Sequence, residues 1–428
     1  MTLAALRGKF DDTFASLRIR NYRLYFIGQG FTQIGDWMHI VALGWLVLQL
    51  TGSGTALGTL LALRFAPVLL GGLHAGRLVD TMDKRRILYV TQSSAAFLAF
   101  LLGILVVSGT VELWMIYVIT LLYGVLETFD RPTRQTFVHE MVGPDNLRNA
   151  VALNSTIVNV ARSLGPLFAG AIIATIGLPV CFFVNGFSYF VYLLLLMNLR
   201  AKDLHRETRG VSDDHLFAGL RFAASVPEIR TILLSMAVIG TLSYEFQVTL
   251  PLLAKVTFLG TAADYAALLS AMGIGSVAGG LFSASRKEIA VHEFLISAFL
   301  FGTAITATAL APTLGLAVVA MVAVGFFSIT MASTGNTLLQ LAAGAEMRGR
   351  IMALWGMAVF GSTLIGAPII GFIGEHASAR AALATGGAAA ILTALVAGRR
   401  LLPFDRLLTI PAFIKIRREE ATSEVPKA

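Results

Sequence analysis

Cysteine is almost absent: Cys181 stands alone in 428 residues. One thiol excludes an intrachain disulfide and a multi-cysteine metal site, and a single cysteine in an apolar run reads as packing. Charge is scarce as well, with Asp, Glu, Lys and Arg together only 14% of the chain. That is too little polar surface to solvate a soluble protein of this length. No G-x-x-x-x-G-K-[ST] is present, so nothing here draws on ATP; runs such as GIGSVAGG lie inside apolar stretches, where glycine serves helix packing. The 7 histidines are scattered and none forms H-E-x-x-H. The expectation is therefore a protein that is not an enzyme, with no catalytic residue, no metal and no cofactor.

What is abundant is apolar surface. Hydrophobic residues make up 56% of the chain, glycine contributes 41 residues, and mean hydropathy is +0.76. The apolar runs are long and helical in length, whereas a membrane barrel alternates over ten-residue strands. This predicts an all-α integral membrane protein with about twelve spanning helices. The first six spans fall near 22–49, 55–79, 87–108, 113–137, 149–176 and 179–199. The other six fall near 229–257, 265–284, 290–311, 314–341, 350–374 and 379–398. They divide the chain into an N-terminal segment 1–21, a six-helix bundle 22–199, a linker 200–228, a second bundle 229–398 and a tail 399–428. No cleavable signal is visible, since the residues before the first span are polar or amphipathic and that span is long enough to stay.

The formal net charge is +8, and its distribution decides what it means. Taken alternately, one set of gaps holds Arg18, Arg20 and Arg23, then Arg77, Lys84, Arg85 and Arg86, then Arg131, Arg134 and Arg148. It continues with Arg200, Lys202, Arg206, Arg209, Arg221 and Arg230, with Arg286, Lys287, Arg348 and Arg350, and with the tail from Arg399. The opposite set has only Lys255 and Arg380. Such asymmetry is the positive-inside pattern, so both termini and the linker are expected on the cytoplasmic side. The partner it implies is a bilayer, not nucleic acid.

The two halves also repeat. Ala152, Leu153, Gly165 and Gly170 match Ala353, Leu354, Gly366 and Gly371 at one common offset of 201. Pro166 and Pro368 recur one position out of register. Two parallel bundles around a midplane site are the arrangement of a transporter, and no filter-like loop or charged ring argues for a channel.

The loop between the second and third spans reads GRLVDTMDKRR. It resembles the G-x-x-x-D-[RK]-x-G-[RK]-[RK] of the major facilitator superfamily through Gly76, Asp80, Lys84 and Arg85, with Arg86 following. It departs at Thr81, where a base is usual, and at Asp83, where glycine is usual. Gly72 and Gly76 form a small-xxx-small face for close helix approach. The resemblance implies a cytoplasmic latch in which Asp80 meets the N-terminal end of the eleventh helix, near Arg348, with Asp130, Arg131 and Arg134 completing the charge network. The alternative is that these bases only hold topology and Asp80 is a solvated neighbour.

GPLFAG resembles an element of proton-exchanging exporters through Gly165, Pro166 and Gly170, with Ala169 where a further glycine is usual. There the glycines allow tight packing and the proline bends the helix; packing without directional meaning is the alternative. A longer resemblance, SLRIRNYRLYFIGQGFTQIGDWMHIVALGWLVLQLTGS with ETFDRPTRQTFVHEMV, points to the branch of bacterial siderophore exporters of the enterobactin type and of macrolide and multidrug efflux proteins. That branch implies export driven by the proton gradient.

Ionisable groups at membrane depth are costly unless paired or wet, and so are the first functional candidates. These are Asp36, Glu245 and Glu127 for proton coupling, in that order, with Arg64 and Arg162 as buried charge partners. Asp36 can alternatively be a structural acid paired to Arg162 or Arg64, Glu127 a member of the latch, and His39 either a relay next to Asp36 or a helix–helix hydrogen bond. Candidates for an amphipathic cavity are Gln29, Gln33, Trp37, Tyr123, Asn154, Asn159, Tyr244, Phe246, Asn336, Gln340, Trp355 and Phe360, with Trp45 in the same pool. The expected function is a monomeric proton-coupled exporter of small amphipathic compounds, siderophore-like or drug-like, in a bacterial inner membrane. The alternatives are a lipid or lysolipid transporter of the same fold and a non-cycling scaffold or sensor.

Overall fold

Inside a bilayer every backbone polar group has to be satisfied within its own segment, and helices do this locally. The computed structural model describes residues 14–205, 216–286 and 289–401. The segments 1–13, 206–215 and 402–428, and the side chains of Asp80 and Phe360, lie outside the described residues. Among the described residues there is no strand. The first half contributes α1 (Arg20–Thr51), α2 (Gly54–Thr81), α3 (Lys84–Val107), α4 (Leu113–Thr175) and α5 (Leu178–Met197). A short α6 (Leu216–Ser225) follows. The second half contributes α7 (Pro227–Ser243), α8 (Phe246–Leu252), α9 (Ala262–Ser285), α10 (Val291–Leu310), α11 (Leu314–Gly356), α12 (Thr363–His376) and α13 (Ala379–Leu401).

Eleven described stretches are long and apolar enough to cross a membrane. One of them, α4, has 63 residues and would run about 95 Å if straight, three times a hydrocarbon core of about 30 Å. It is two crossings joined at Gly143, which takes φ 66°, ψ 178°. Only glycine adopts that conformation cheaply, and Pro144 restarts the helix behind it. The chain is thus a twelve-span membrane protein in two pseudo-symmetric six-helix bundles. The segment 138–148, expected as a loop between spans, is helical on both sides of that corner. A turn made by one glycine needs no unwound residues. The same corner returns in α11, where Gly344 takes φ 67°, ψ 178°. Gly344 stands 201 positions after Gly143, the offset of the sequence repeat.

Two expected spans are less regular than their hydropathy suggests. The run 229–257 breaks at Tyr244 and Glu245, restarts as α8, and continues through a π-helical turn, Leu253–Thr257. Pro251 removes one ladder donor just before that turn. The run 350–374 carries a second π turn, Met357–Gly361, before α12. Such turns are rare and concentrate at functional sites.

The chain clusters into two compact units that do not follow the sequence halves. The first comprises Met1–Asp213 with Gln247–Ser270 and Ala367–Glu375; the second comprises Asp214–Phe246, Ala271–Gly366 and His376–Ala428. Within the first, Tyr22, Tyr25, Phe137 and Tyr192 are buried together with ring centres 5.9–6.3 Å apart, Tyr22 stacked on Tyr25 and Tyr25 edge-to-face with the other two. The segments borrowed from the second half are held by backbone-close contacts. A Cβ at Gly371 would lie 2.3 Å from the Gly54 carbonyl oxygen, and one at Gly58 2.3 Å from that of Ala367. At this end the Glu375 carboxylate accepts from Ser53 Oγ at 2.5 Å and from the Thr55 amide at 2.8 Å, and Lys255 Nζ donates to the Leu48 carbonyl at 2.8 Å. Within the second unit α10 packs along α13, where a Cβ at Gly302 would lie 2.7 Å from the Gly387 carbonyl.

Candidate functional site

Five helices of the first unit converge on a chain of largely half-buried charges. Arg64 of α2 meets Glu127 of α4: its Nε donates at 3.1 Å and Nη2 donates to the same oxygen. Arg131, one turn on, donates to the other carboxylate oxygen at 2.9 Å. Asp130 accepts from Arg134 Nε at 2.5 Å, from Gln92 at 2.6 Å and from Thr91 at 2.9 Å. The Arg134 guanidinium lies 5.0 Å from the Tyr192 ring centre, completing a desolvated cation–π contact. The i,i+4 spacing of Glu127 with Arg131 and of Asp130 with Arg134 aligns each pair on one helix face.

Asp36 of α1 takes a different kind of partner. The Tyr189 hydroxyl of α5 donates to its Oδ1. Neither Arg64 nor Arg162 forms an ion pair with Asp36 among the contacts described; Arg64 is engaged by Glu127, and the Arg162 guanidinium sits 5.4 Å from the Trp37 ring centre. His39 is buried between the rings of Tyr123 and Phe182, at 5.1 and 5.2 Å, and its Nδ1 has no hydrogen-bond partner among the described residues.

The second unit carries its own buried acid. Glu245 is 3% exposed and lies in the break between α7 and α8, where unwound backbone gives a side chain room that a continuous helix does not. Thr363, at the start of α12, stands beside it. A Cβ at Gly366 would stand 3.0 Å from its Oε1 and 1.9 Å from the Thr241 carbonyl, so glycine there brings α12 against the break. Beside it, Tyr244 donates to the Ser328 carbonyl at 3.2 Å and packs on Phe246 and Phe301.

The other sequence candidates fall into distinct surroundings. Lys84 pairs with Glu140 at 3.4 Å, and Arg85 donates to Tyr89 Oη at 2.6 Å and to the Met197 carbonyl at 3.0 Å. Asp83, the departure from glycine, accepts from the Arg86 amide at 3.2 Å and caps α3. Nothing described comes within 4 Å of a Cβ at Gly72 or Gly76. Gly165, followed by buried Pro166, packs on α1, where a Cβ would be 2.4 Å from that of Trp37; Gly170 packs on Ala263 and Ala266. Tyr123 is tied to the Ala95 carbonyl at 2.9 Å, and Gln29, Trp45, Phe246 and Trp355 are buried in helix packing. Gln33, Trp37, Asn154 and Asn159 are half-buried, the last donating to the Ser155 carbonyl at 2.8 Å. On α11, Gln340 donates to Asn336 at 2.6 Å, and Asn336 contacts Met352 Sδ at 3.6 Å. Sequence reasoning missed Tyr189, Thr363 and Asp83. The first two have no charge to flag them, and the third was read only as a mismatch.

A family model described as transmembrane secretion effector matches residues 11–411. The staphyloferrin A transporter of Staphylococcus aureus is 26% identical over 80% of this chain and 88% of its own length. The multidrug efflux pump Tap of Mycolicibacterium fortuitum is 26% identical over 81% and 87%. The enterobactin exporter EntS of Citrobacter koseri is 24% identical over 85% and 89%. Among solved structures, a bacterial homologue of the human lysosomal transporter Spinster, inward-facing and unoccupied, superposes with a TM-score of 0.65 at 15% identity, over 90% of this chain and 96% of that one. That likeness concerns the fold.

Proposed function

From the premise that this chain belongs to the transmembrane secretion effector family of major facilitator transporters, we propose that it is a proton-coupled exporter of small amphipathic compounds. The cargo class is siderophore-like or drug-like, as the names of its relatives suggest. The protein works as a monomer in the bacterial inner membrane with both termini cytoplasmic. It alternates access between its two bundles and is driven by the proton gradient without a cofactor.

One contrast among the acids carries the reading. Protonating Glu127 breaks contacts with Arg64 and Arg131, and protonating Asp130 breaks one with Arg134. Asp36 instead accepts from a hydroxyl, that of Tyr189, and Glu245 lies in a helix break beside Thr363. A carboxyl group beside a neutral donor takes up and gives back a proton without leaving a base stranded. One such acid stands in each unit, which suits a cycle in which protonation and cargo alternate.

The test is proton movement in inside-out vesicles, read with a pH dye while siderophores, macrolides and other amphipathic compounds are added. Substrate-triggered proton release from a preformed gradient is expected, and it is lost in Asp36→Asn and in Glu245→Gln with folded protein retained. Full proton movement in both variants would sink the coupling assignment.

A further inference from the structure

Between α2 and α4 lies a second feature that the acid chain does not use: a cavity of about 770 Å³, within the range of small-molecule pockets. Its wall follows from helical periodicity. On α2, Leu70, His74, Arg77 and Leu78 recur at three- and four-residue steps and share a stripe; on α4, Val125 and Phe129 face it one turn apart. The floor is thus apolar, and the polar groups that α2 gives it, His74, Arg77 and Thr81, lie toward the end of that helix.

Arg77 is the anomaly. The arginines of the acid chain are all engaged, Arg64 and Arg131 by Glu127 and Arg134 by Asp130. Arg77 and His74 are exposed and have no hydrogen bond or ion pair among the described residues, and none of the described residues lining the cavity is acidic. A guanidinium at the rim of an apolar pocket matches a ligand with one anionic group and an apolar body. The fork binds the oxyanion in two places, and an imidazole N–H adds a third donor.

We infer that the α2–α4 cavity is a binding site for amphipathic anions, with the acidic group on Arg77 and His74 and the apolar body against Leu70, Leu78, Val125 and Phe129. The inference deepens the exporter reading, because it gives the polar end of the cargo a charge, and it rests on that reading for its role in transport. Binding itself needs no turnover. A failed vesicle assay with intact binding removes the exporter, and the reverse removes the site.

The experiment uses full-length protein in phosphatidylcholine nanodiscs and two matched probes, 11-(dansylamino)undecanoic acid and the cationic dansylcadaverine, read by energy transfer from tryptophan. The acid is expected to bind about tenfold tighter than the amine, and Arg77→Ala to remove most of that difference while Arg77→Lys keeps part of it. Val125→Trp, which fills the cavity from an exposed position, is expected to weaken both probes. An unchanged acid-to-amine ratio in Arg77→Ala, or unchanged binding in Val125→Trp, overturns the site. Repeating the titration with phosphatidylglycerol in the disc separates the sources of the anion. Competition assigns the site to a lipid headgroup and its absence to a free solute, and both keep the anion chemistry.

Discussion

Arg64 and Glu127 stand 63 positions apart and meet through two guanidinium nitrogens, although Arg64 has no acid on its own helix turn that would betray the pairing. Removing one partner of a largely desolvated pair strands the other, at a cost of about 3 kcal/mol. Arg64→Met is therefore expected to lower the thermal midpoint of the detergent-purified protein by several degrees. Arg64→Met with Glu127→Met should recover most of that loss, because two apolar groups of similar volume leave only Arg131, which is exposed and solvated. A double variant no more stable than Arg64→Met contradicts the pairing. A smaller effect belongs to Asp83, whose carboxylate caps α3. Asp83→Ala should cost about 1 kcal/mol and Asp83→Gly only a few tenths, so the family's usual glycine is a tolerated substitute here.

At the scale of helices, glycines that look alike in sequence divide by what they touch. Gly366→Ala would set a methyl 1.9 Å from the Thr241 carbonyl, backbone that cannot swing aside, so loss of folded protein in the membrane is expected on immunoblots. Gly72→Ala and Gly76→Ala meet nothing described within 4 Å, and their folded yield should match the parent. The twelve spans were legible because length and hydropathy decide them locally. So was the repeat, since one offset tied Gly165 to Gly366 and later Gly143 to Gly344. What was not legible depends on positions far apart or on backbone detail. Tyr189 reaches Asp36 from 153 residues away, and the break that frees Glu245 lies within an unbroken apolar run. Hydropathy also could not show that Gly72 and Gly76 meet no described residue within 4 Å, because spacing reports a face and not its neighbour.

For the molecule as a whole, the Glu375 clasp on Ser53 and Thr55, set beside the Gly54 and Gly371 contact, ties α12 to the start of α2. The alternating access proposed above requires such a tie to be released in each cycle. Ser53→Cys with Glu375→Cys, joined by a short reducible thiol cross-linker, is expected to stop export and to regain it on reduction. Continued export by the fully cross-linked protein would mean that this end never opens.

The solitary thiol makes these experiments simple. Cys181 is fully buried, with its Sγ 4.0 Å from the Ala169 carbonyl. To a water-soluble maleimide the native chain is therefore silent. Each cysteine placed at Ser53, Arg77 or Glu375 becomes the sole responsive probe of its surroundings, with no thiol-free background to engineer first, and the protein can be followed through its cycle one position at a time.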